Sequence, residues 1–220
     1  MVASVNSRRR SRDDVAGMAL HLLDEYGLPD LTMRHLATAL GVQPSALYWH
    51  FPNKQALLAA VSERILAPMA EVSGDGTSMH DAVRAVGTRM RECLLAHRDA
   101  SELVSSSLAL GLVSSPVRPR LLAAARLHGV PDALAEVAAE AVMHFVVGFT
   151  FHEQQRLAAD QLGLLPETAA SNLGEARAGS PADADFAEAL TMIAHGLEVS
   201  IAQHRDVQKT RRDELSRTAG

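Results

Sequence analysis

Three large amphipathic side chains, Tyr48, Trp49 and His50, stand side by side in this chain, and the cation Lys54 follows closely. Each of the three joins an aromatic body to a polar tip, so all of them cannot point into one core. A phenol, an indole, an imidazole and an ammonium group on one surface can contact phosphate oxygens and the apolar edges of bases. For Tyr48 or Trp49 taken alone, packing against neighbouring helices is an equally good interpretation.

The residues before this cluster predict two short helices joined at a glycine. Thr32 can cap the first helix with its hydroxyl, and Gly41 can take the left-handed conformation that ends it. Pro44 is tolerated in the first turn of a second helix. The inward face comprises Leu31, Leu36, Ala37, Leu40, Ala46 and Leu47. Such a pair, with exposable aromatic and cationic groups at the end of the second helix, predicts a helix-turn-helix that binds DNA.

The string LTMRHLATALGV, followed by LYWHFPNK, resembles the DNA-binding segment of the tetracycline-repressor (TetR) family. The resemblance runs without a gap from residue 13 to about residue 66, and a weaker likeness recurs at residues 96–99 and 144–155. It implies a dimeric transcription regulator, usually a repressor, whose partner is a double-stranded palindromic operator. In that family a fourth helix connects the DNA-binding domain to a C-terminal domain, where a small-molecule effector lowers operator affinity.

The resemblance assigns DNA contacts within the helix-turn-helix. Arg34 matches a base-contacting arginine of the family, and a guanidinium can bind guanine O6 and N7 through two hydrogen bonds. Tyr48, Trp49, His50 and Lys54 match residues that hold phosphates or thymine methyl groups there.

The start of the second helix departs from the tetracycline repressors, so we expect it to read a different operator. The departing residues are Gln43, Pro44, Ser45 and Ala46. Gln43 can bind adenine, and Ser45 can bind a phosphate or a base. Either side chain facing only water is an equal alternative.

The resemblance also implies a ligand site in the C-terminal domain. His144 matches a ligand-contacting histidine, and the likeness extends to Phe145, Gly148 and Gln154–Gln155. His144, Gly148 and His152 share one helical face. One histidine can anchor a ligand by a hydrogen bond; a core histidine bound by backbone or water is an equal alternative. Rings eight residues apart rise about 12 Å along a helix and could hardly share one ion, so we predict no metal and no cofactor here.

The resemblance fails at one informative position. Tetracycline repressors carry a histidine that binds the drug's magnesium five residues after an Arg-Asp pair, and this chain has Val104 at that distance from Arg98-Asp99. Magnesium–tetracycline is therefore an unsuitable ligand. We expect a hydrophobic effector with one or two polar anchors, in an apolar cavity lined by Met90, Val104, Leu108, Phe145 and Phe149.

Composition indicates an all-α fold. The 220 residues are 47% hydrophobic, with few aromatic residues and few β-branched runs. We predict a three-helix helix-turn-helix domain, linked by a fourth helix to a larger ligand-binding and dimerisation domain. The predicted boundaries are residues 1–66, 67–205 and a charged tail at 206–220.

The net charge of −5 is unevenly distributed. Residues 1–66 hold seven Lys or Arg and six Asp or Glu. Since the whole chain has 21 basic and 26 acidic residues, the remainder holds fourteen basic and twenty acidic residues. The basic excess is an N-terminal arm with Arg8, Arg9, Arg10 and Arg12. Such an arm is either a solvated tail or, beside a helix-turn-helix, a segment that follows phosphates or enters the minor groove. The acidic remainder should not touch DNA.

The single cysteine excludes an internal disulfide, and no N-terminal apolar stretch resembles a signal peptide or a membrane span. We therefore expect a cytoplasmic protein without a membrane partner. Cys93 falls on an apolar helical stripe, which favours a buried, inert thiol over a redox sensor.

Helical periodicity and caps predict the remaining elements. A support helix spans residues 13–26 with a capping box of Ser11 and Asp14, and the fourth helix runs from Asn53 to about Pro68. Loops are predicted at 72–78 and 160–184. Two long helices, about 131–159 and 185–204, are apolar enough to suit a four-helix dimer interface, and the tail beyond them should fray.

Two other classes of function stay open. An enzyme is very improbable, because we find no nucleophile elbow, no H-E-x-x-H pair and no phosphate-binding glycine loop. The remaining alternatives are a DNA-binding protein without a ligand and an activator. A cavity of about 300 Å³ or more would argue against a protein without a ligand.

Overall fold

The computed structural model describes residues 11–72, 78–164 and 181–218, with residues 181 and 212–218 described by their backbone only. Within these ranges the chain forms nine α-helices and no strand, which confirms the all-α class. The helices are α1 (Arg12–Tyr26), α2 (Met33–Leu40), α3 (Pro44–Leu47), α4 (Lys54–Leu66), α5 (Met79–Leu95), α6 (Ala100–Ala109), α7 (Val117–Leu127), α8 (Asp132–Gln161) and α9 (Pro181–Thr218). A 3₁₀ helix, Ala67–Glu71, follows α4.

The chain divides into two compact units. The first comprises residues up to 67 together with 94–114, and the second comprises 68–93 together with the residues from 115 onward. Helix α6 therefore packs with the N-terminal helices, which the sequence did not indicate. Its contact with α4 includes a buried pair of hydroxyls, Ser62 Oγ and Ser107 Oγ, 2.9 Å apart. The sequence-based domain boundaries stay a prediction.

In the first unit, α1 supports α2 and α4. The capping box predicted at its start is confirmed, because Ser11 Oγ accepts from the Asp14 N–H and Asp14 Oδ2 accepts from the Ser11 N–H. The end of α1 is tied to the turn before α6: Leu28 N donates to Asp99 Oδ2 at 2.9 Å. Asp99 itself holds φ at 52°, in the left-handed region where few non-glycine residues lie. This hydrogen bond joins the loop between α1 and α2 to the residue that precedes α6.

In the second unit, α8 packs against α7 and α9. By length and composition α8 could cross a membrane, but a core helix of a soluble protein passes the same test, and 39% of its most apolar window is buried within this chain. Part of the apolar surface of α8 and α9 is exposed, including Val137 on α8 at 68% and Met192 on α9 at 67%. The apolar character predicted for both long helices therefore leaves surface that their own unit does not cover.

The structure corrects the prediction of a frayed tail. Helix α9 begins at Pro181 and continues to Thr218. Its C-terminal part, residues 197–218, contains no glycine or proline and includes four Arg, two Gln, two Glu and two Leu, which favour helix. Residues 160–161 and 181–184, predicted as loop, belong to α8 and α9. Parts of three predicted segments lie outside the described residues. They are residues 165–180 of this loop, residues 73–77 of the loop predicted at 72–78, and Arg8, Arg9 and Arg10 of the N-terminal arm.

Cys93 is buried, as its place on the apolar stripe of α5 predicts. Its exposed fraction is 4%, and burial is the main reason that the pKa of its thiol is raised. A raised pKa leaves less thiolate at neutral pH, and the thiolate is the reactive form. We expect a disulfide reagent such as DTNB to modify Cys93 at least roughly tenfold more slowly in the native protein than in guanidinium. Equal rates in the two states would show that the thiol is accessible.

Candidate nucleic-acid interface

Local hydrogen bonds fix the first helix of the predicted helix-turn-helix. Thr32 Oγ1 accepts from the His35 N–H at 3.1 Å, which confirms the predicted N-cap. His35 in turn contacts the preceding loop, with Nδ1 3.0 Å from the Asp30 carbonyl, and its ring lies against Tyr26 at 4.9 Å. Leu36, Ala37 and Leu40 are buried beneath. The opposite face of α2 is therefore held outward.

Gly41 ends α2 in the left-handed conformation, with φ 64° and ψ 36°, as predicted. A Cβ atom at this position would meet nothing within 4 Å, so only the backbone conformation disfavours a side chain there. We expect Gly41→Ala to lower the free energy of unfolding by about 1–2 kcal/mol, measured by urea denaturation. Gly41→Asn should lose less, because asparagine tolerates this conformation better. An alanine variant as stable as the parent would contradict this interpretation.

Helix α3 is short, Pro44–Leu47, and Leu47 is its buried residue. Leu47 is 1% exposed, and its carbonyl accepts from the N–H groups of His50 and Phe51 at 2.9 Å. Phe51 is fully buried, and the guanidinium of Arg12 lies 4.8 Å from its ring centre. These anchors force the intervening residues outward: Tyr48 is 52% exposed and Trp49 90% exposed. Trp49 is therefore not a core residue, and the packing alternative is wrong for it.

The residues predicted to contact DNA lie on the surface of this unit. Arg34, Gln43, Pro44, Ser45, Tyr48 and Trp49 are exposed, and Ala46, His50 and Lys54 are half-buried. Lys54 is the first residue of α4, whose N-cap Asn53 accepts from the Ala56 N–H at 2.8 Å. The predicted interface thus draws its side chains from α2, α3, the turn after α3 and the start of α4.

Thr38 is a further candidate for the predicted interface that the sequence pattern did not single out. It lies one turn after Arg34 on the exposed face of α2, and its hydroxyl donates to the Arg34 carbonyl at 3.1 Å. Its methyl group is available to an apolar partner such as a thymine methyl. The spacing of four residues from Arg34 could have indicated it.

The residues predicted to bind a ligand are divided between the two compact units. Met90 is buried in the second unit, whereas Val104 is buried and Leu108 half-buried in the first. His144 is exposed, with Nδ1 3.9 Å from Glu140 Oε2, and His152 is exposed too. Neither is the core histidine of the alternative interpretation. Gly148 between them is half-buried.

The structure does bring Phe145 and Phe149 together with Phe186 of α9, at ring-centre distances of 5.2–5.6 Å. Beside this cluster, Arg91 of α5 donates to Glu153 of α8 and to Asp183 of α9. Burial lowers the pKa of Arg91, but the hydrogen bonds to both carboxylates outweigh it and the pKa is raised overall. Sequence reasoning missed this ion cluster, because its members are far apart in the chain.

Thr150 of α8 is fully buried, and its hydroxyl has no hydrogen-bond partner among the residues that the structure describes. A buried hydroxyl without a partner costs free energy, and a bound molecule or water would offset that cost. An open, polar pocket of about 370 Å³ lies on α5, with Asp81, Arg84 and Glu92 among its lining residues.

Residues 18–61 match the model of the family described as bacterial regulatory proteins of the tetR family, and residues 73–201 match that of the tetracyclin repressor-like C-terminal domain. The chain is 32% identical over 215 residues to the class C tetracycline repressor protein of Escherichia coli, covering 90% of this chain and 94% of that protein.

Solved structures agree with these matches. The crystal structure of Mycobacterium smegmatis BioQ is similar with a TM-score of 0.74 and 37% identity, covering 86% of this chain and 98% of that one. A crystal structure of BioQ with its natural double-stranded DNA operator is similar with a TM-score of 0.62 and 39% identity, covering 74% of this chain and 99% of that one.

Proposed function

This chain belongs to the TetR family of bacterial regulatory proteins, and we propose that it is a repressor that binds a palindromic operator as a homodimer and is released by a small hydrophobic molecule. That it is a DNA-binding transcription regulator, and not an enzyme, follows from the family itself. The operator, the dimer and the effector are our proposals, as is a cytoplasmic location, where bacterial DNA is found.

The observation that carries the operator proposal is the exposed face of the helix-turn-helix. Arg34 and Gln43 there can form paired hydrogen bonds with bases, while Tyr48 and Lys54 can bind phosphates. Trp49 is 90% exposed, so its indole can contact the same DNA surface. Ser45, Pro44, Ala46 and His50 complete the proposed contact set.

The dimer proposal rests on the apolar surface that one chain leaves uncovered. Val137 on α8 and Met192 and Val199 on α9 are each more than half exposed. Two such helices from each of two chains can form a four-helix interface. A dimer places two recognition helices one DNA turn apart, about 34–36 Å, so each reads one half of a palindrome.

We propose a hydrophobic effector because Val104 stands at the position that the resemblance assigns to the magnesium-binding histidine of tetracycline repressors. The other proposed lining residues carry no polar side-chain group: Met90, Leu108, Phe145, Gly148 and Phe149. His144 and His152 are the proposed polar anchors. The effector must bind the DNA-free shape of the protein more tightly than the DNA-bound shape. A 100-fold loss of operator affinity requires about 2.7 kcal/mol of this difference.

In-vitro selection of random duplexes with the purified protein tests the operator. We expect an enriched palindrome, bound at least 10³-fold more tightly than a scrambled duplex at about 0.15 M salt. No enrichment of any sequence would contradict sequence-specific binding. A single asymmetric half-site would contradict the dimer.

The selected duplex, labelled with a fluorophore, then tests the effector. Hydrophobic and aromatic compounds are titrated into the complex, and we expect at least one to release the DNA. Magnesium–tetracycline is the control and should not. Release by magnesium–tetracycline alone would overturn the hydrophobic effector. Release by nothing in a broad panel would favour a repressor that senses no ligand.

A further inference from the structure

Two histidines that are distant in the sequence meet between the first and last helices of the second unit. The rings of His80 on α5 and His195 on α9 have centres 5.3 Å apart, edge to face with an interplanar angle of 61°. These helices run antiparallel, since His80 pairs with His195 and Gly87 lies at Leu190. The approach at Gly87 is so close that an added Cβ would come within 2.8 Å of Leu190 Cδ2. The backbones beneath the two rings are therefore held at a fixed spacing.

The separation of the rings fits shared coordination of one ion. An imidazole nitrogen binds zinc at about 2.0–2.1 Å, which places each ring centre about 3.2 Å from the metal; at a tetrahedral angle the two centres are then about 5.2 Å apart. The observed distance of 5.3 Å suits one ion once the rings turn about their Cβ–Cγ bonds from the edge-to-face arrangement, a rotation that moves neither ring centre nor helix.

The ring of His80 carries a second indication. Its Nε2 atom is buried and has no hydrogen-bond partner among the described residues. With the proton on Nδ1, this nitrogen presents a lone pair, and a lone pair buried without a donor or a cation is unfavourable. His195 is exposed on the single chain, so an ion can reach the pair from solvent before two chains associate.

We propose that His80 and His195 bind one late first-row divalent cation, of the class of Ni²⁺, Cu²⁺ or Zn²⁺, for which imidazole is a suitable ligand. No group of three potential ligands occurs in the described part of the chain, so water completes the coordination shell. Glu198, three residues after His195, adds negative charge on the same side of α9, and Arg84, one turn after His80, opposes it. The ion would clamp α5 to α9.

Nickel titration of the full-length, tag-free protein after treatment with EDTA tests this site. We expect one Ni²⁺ per chain by calorimetry and a rise in melting temperature with added Ni²⁺. His80→Ala and His195→Ala should each weaken binding at least roughly tenfold, and His21→Ala, which removes an exposed histidine on α1, should bind like the parent. The site is wrong if the parent shows no saturable binding, or if either folded variant of the pair binds as tightly as the parent.

Copper electron paramagnetic resonance of the unmodified protein covers the case in which a variant does not fold. At one equivalent of Cu²⁺, hyperfine structure from two imidazole nitrogens supports the pair. Structure from one nitrogen or none overturns it. Neither measurement of metal binding depends on an operator. Failure of the metal site therefore leaves the proposed repressor intact, and failure to bind an operator leaves the metal site intact.

Discussion

Arg34→Ala is expected to abolish preferential binding to the operator while leaving weak binding to any DNA. Arg34 is exposed on α2, whose start is fixed by the Thr32 cap and whose end is fixed at Gly41, so its guanidinium is presented by a rigid element. A bidentate contact with guanine is worth about 1–3 kcal/mol of discrimination, and a dimer makes it twice. The loss of about 2–6 kcal/mol corresponds to roughly 30-fold to 10⁴-fold in affinity, measurable by fluorescence anisotropy.

Two further variants separate base reading from charge. Lys54→Ala should weaken binding to the selected and the scrambled duplex alike and reduce the salt dependence, because it removes a phosphate contact. Arg126→Ala removes an arginine with a 70% exposed side chain on α7, outside the proposed interface, and should change neither. If Arg34→Ala kept the preference for the selected duplex, another residue would read the operator.

Arg91→Met is expected to destabilise the protein by about 2–4 kcal/mol. The side chain of Arg91 is 12% exposed and that of its partner Glu153 is 18% exposed, with contacts of 2.7 Å to both Glu153 and Asp183. Removing one partner from a buried pair costs about 3–5 kcal/mol, and the 34% exposure of Asp183 lets water recover part of it. Thermal unfolding should show a midpoint lower by about 5–15 °C.

The matched control is Arg118→Met. Arg118 pairs with Glu136 at 2.5 Å, but both side chains are about half exposed, so we expect a loss below about 1 kcal/mol. In the double variant Arg91→Met with Glu153→Gln, one unpaired carboxylate is removed and part of the stability should return. Equal losses at Arg91 and Arg118 would show that the ion cluster has no special weight.

Local chemistry explains why much of the first unit could be predicted. The caps at Ser11, Thr32 and Asn53 and the glycine at residue 41 act within four residues of chain, so sequence alone locates them. The outward position of Trp49 follows from the burial of Leu47 and Phe51 on either side, and only its core alternative had to be discarded.

Long-range packing explains what could not be predicted. The pairing of α6 with α4 through Ser62 and Ser107, the ion cluster at Arg91 and the ring contact of His80 with His195 all join residues at least 45 positions apart. Periodicity gives the buried face of a helix but not which helix covers it. The helical end of α9 was missed because a polar segment has no apolar period, although its residues favour helix individually.

Sedimentation of the purified protein with its selected duplex tests the central claim most directly, because the mass of the complex reports how many chains read one site. We predict two chains per palindromic duplex, and a duplex with one half-site mutated should lose most of the affinity. One chain per duplex, or a number of chains that grows with duplex length whatever the sequence, would contradict a dimeric operator reader.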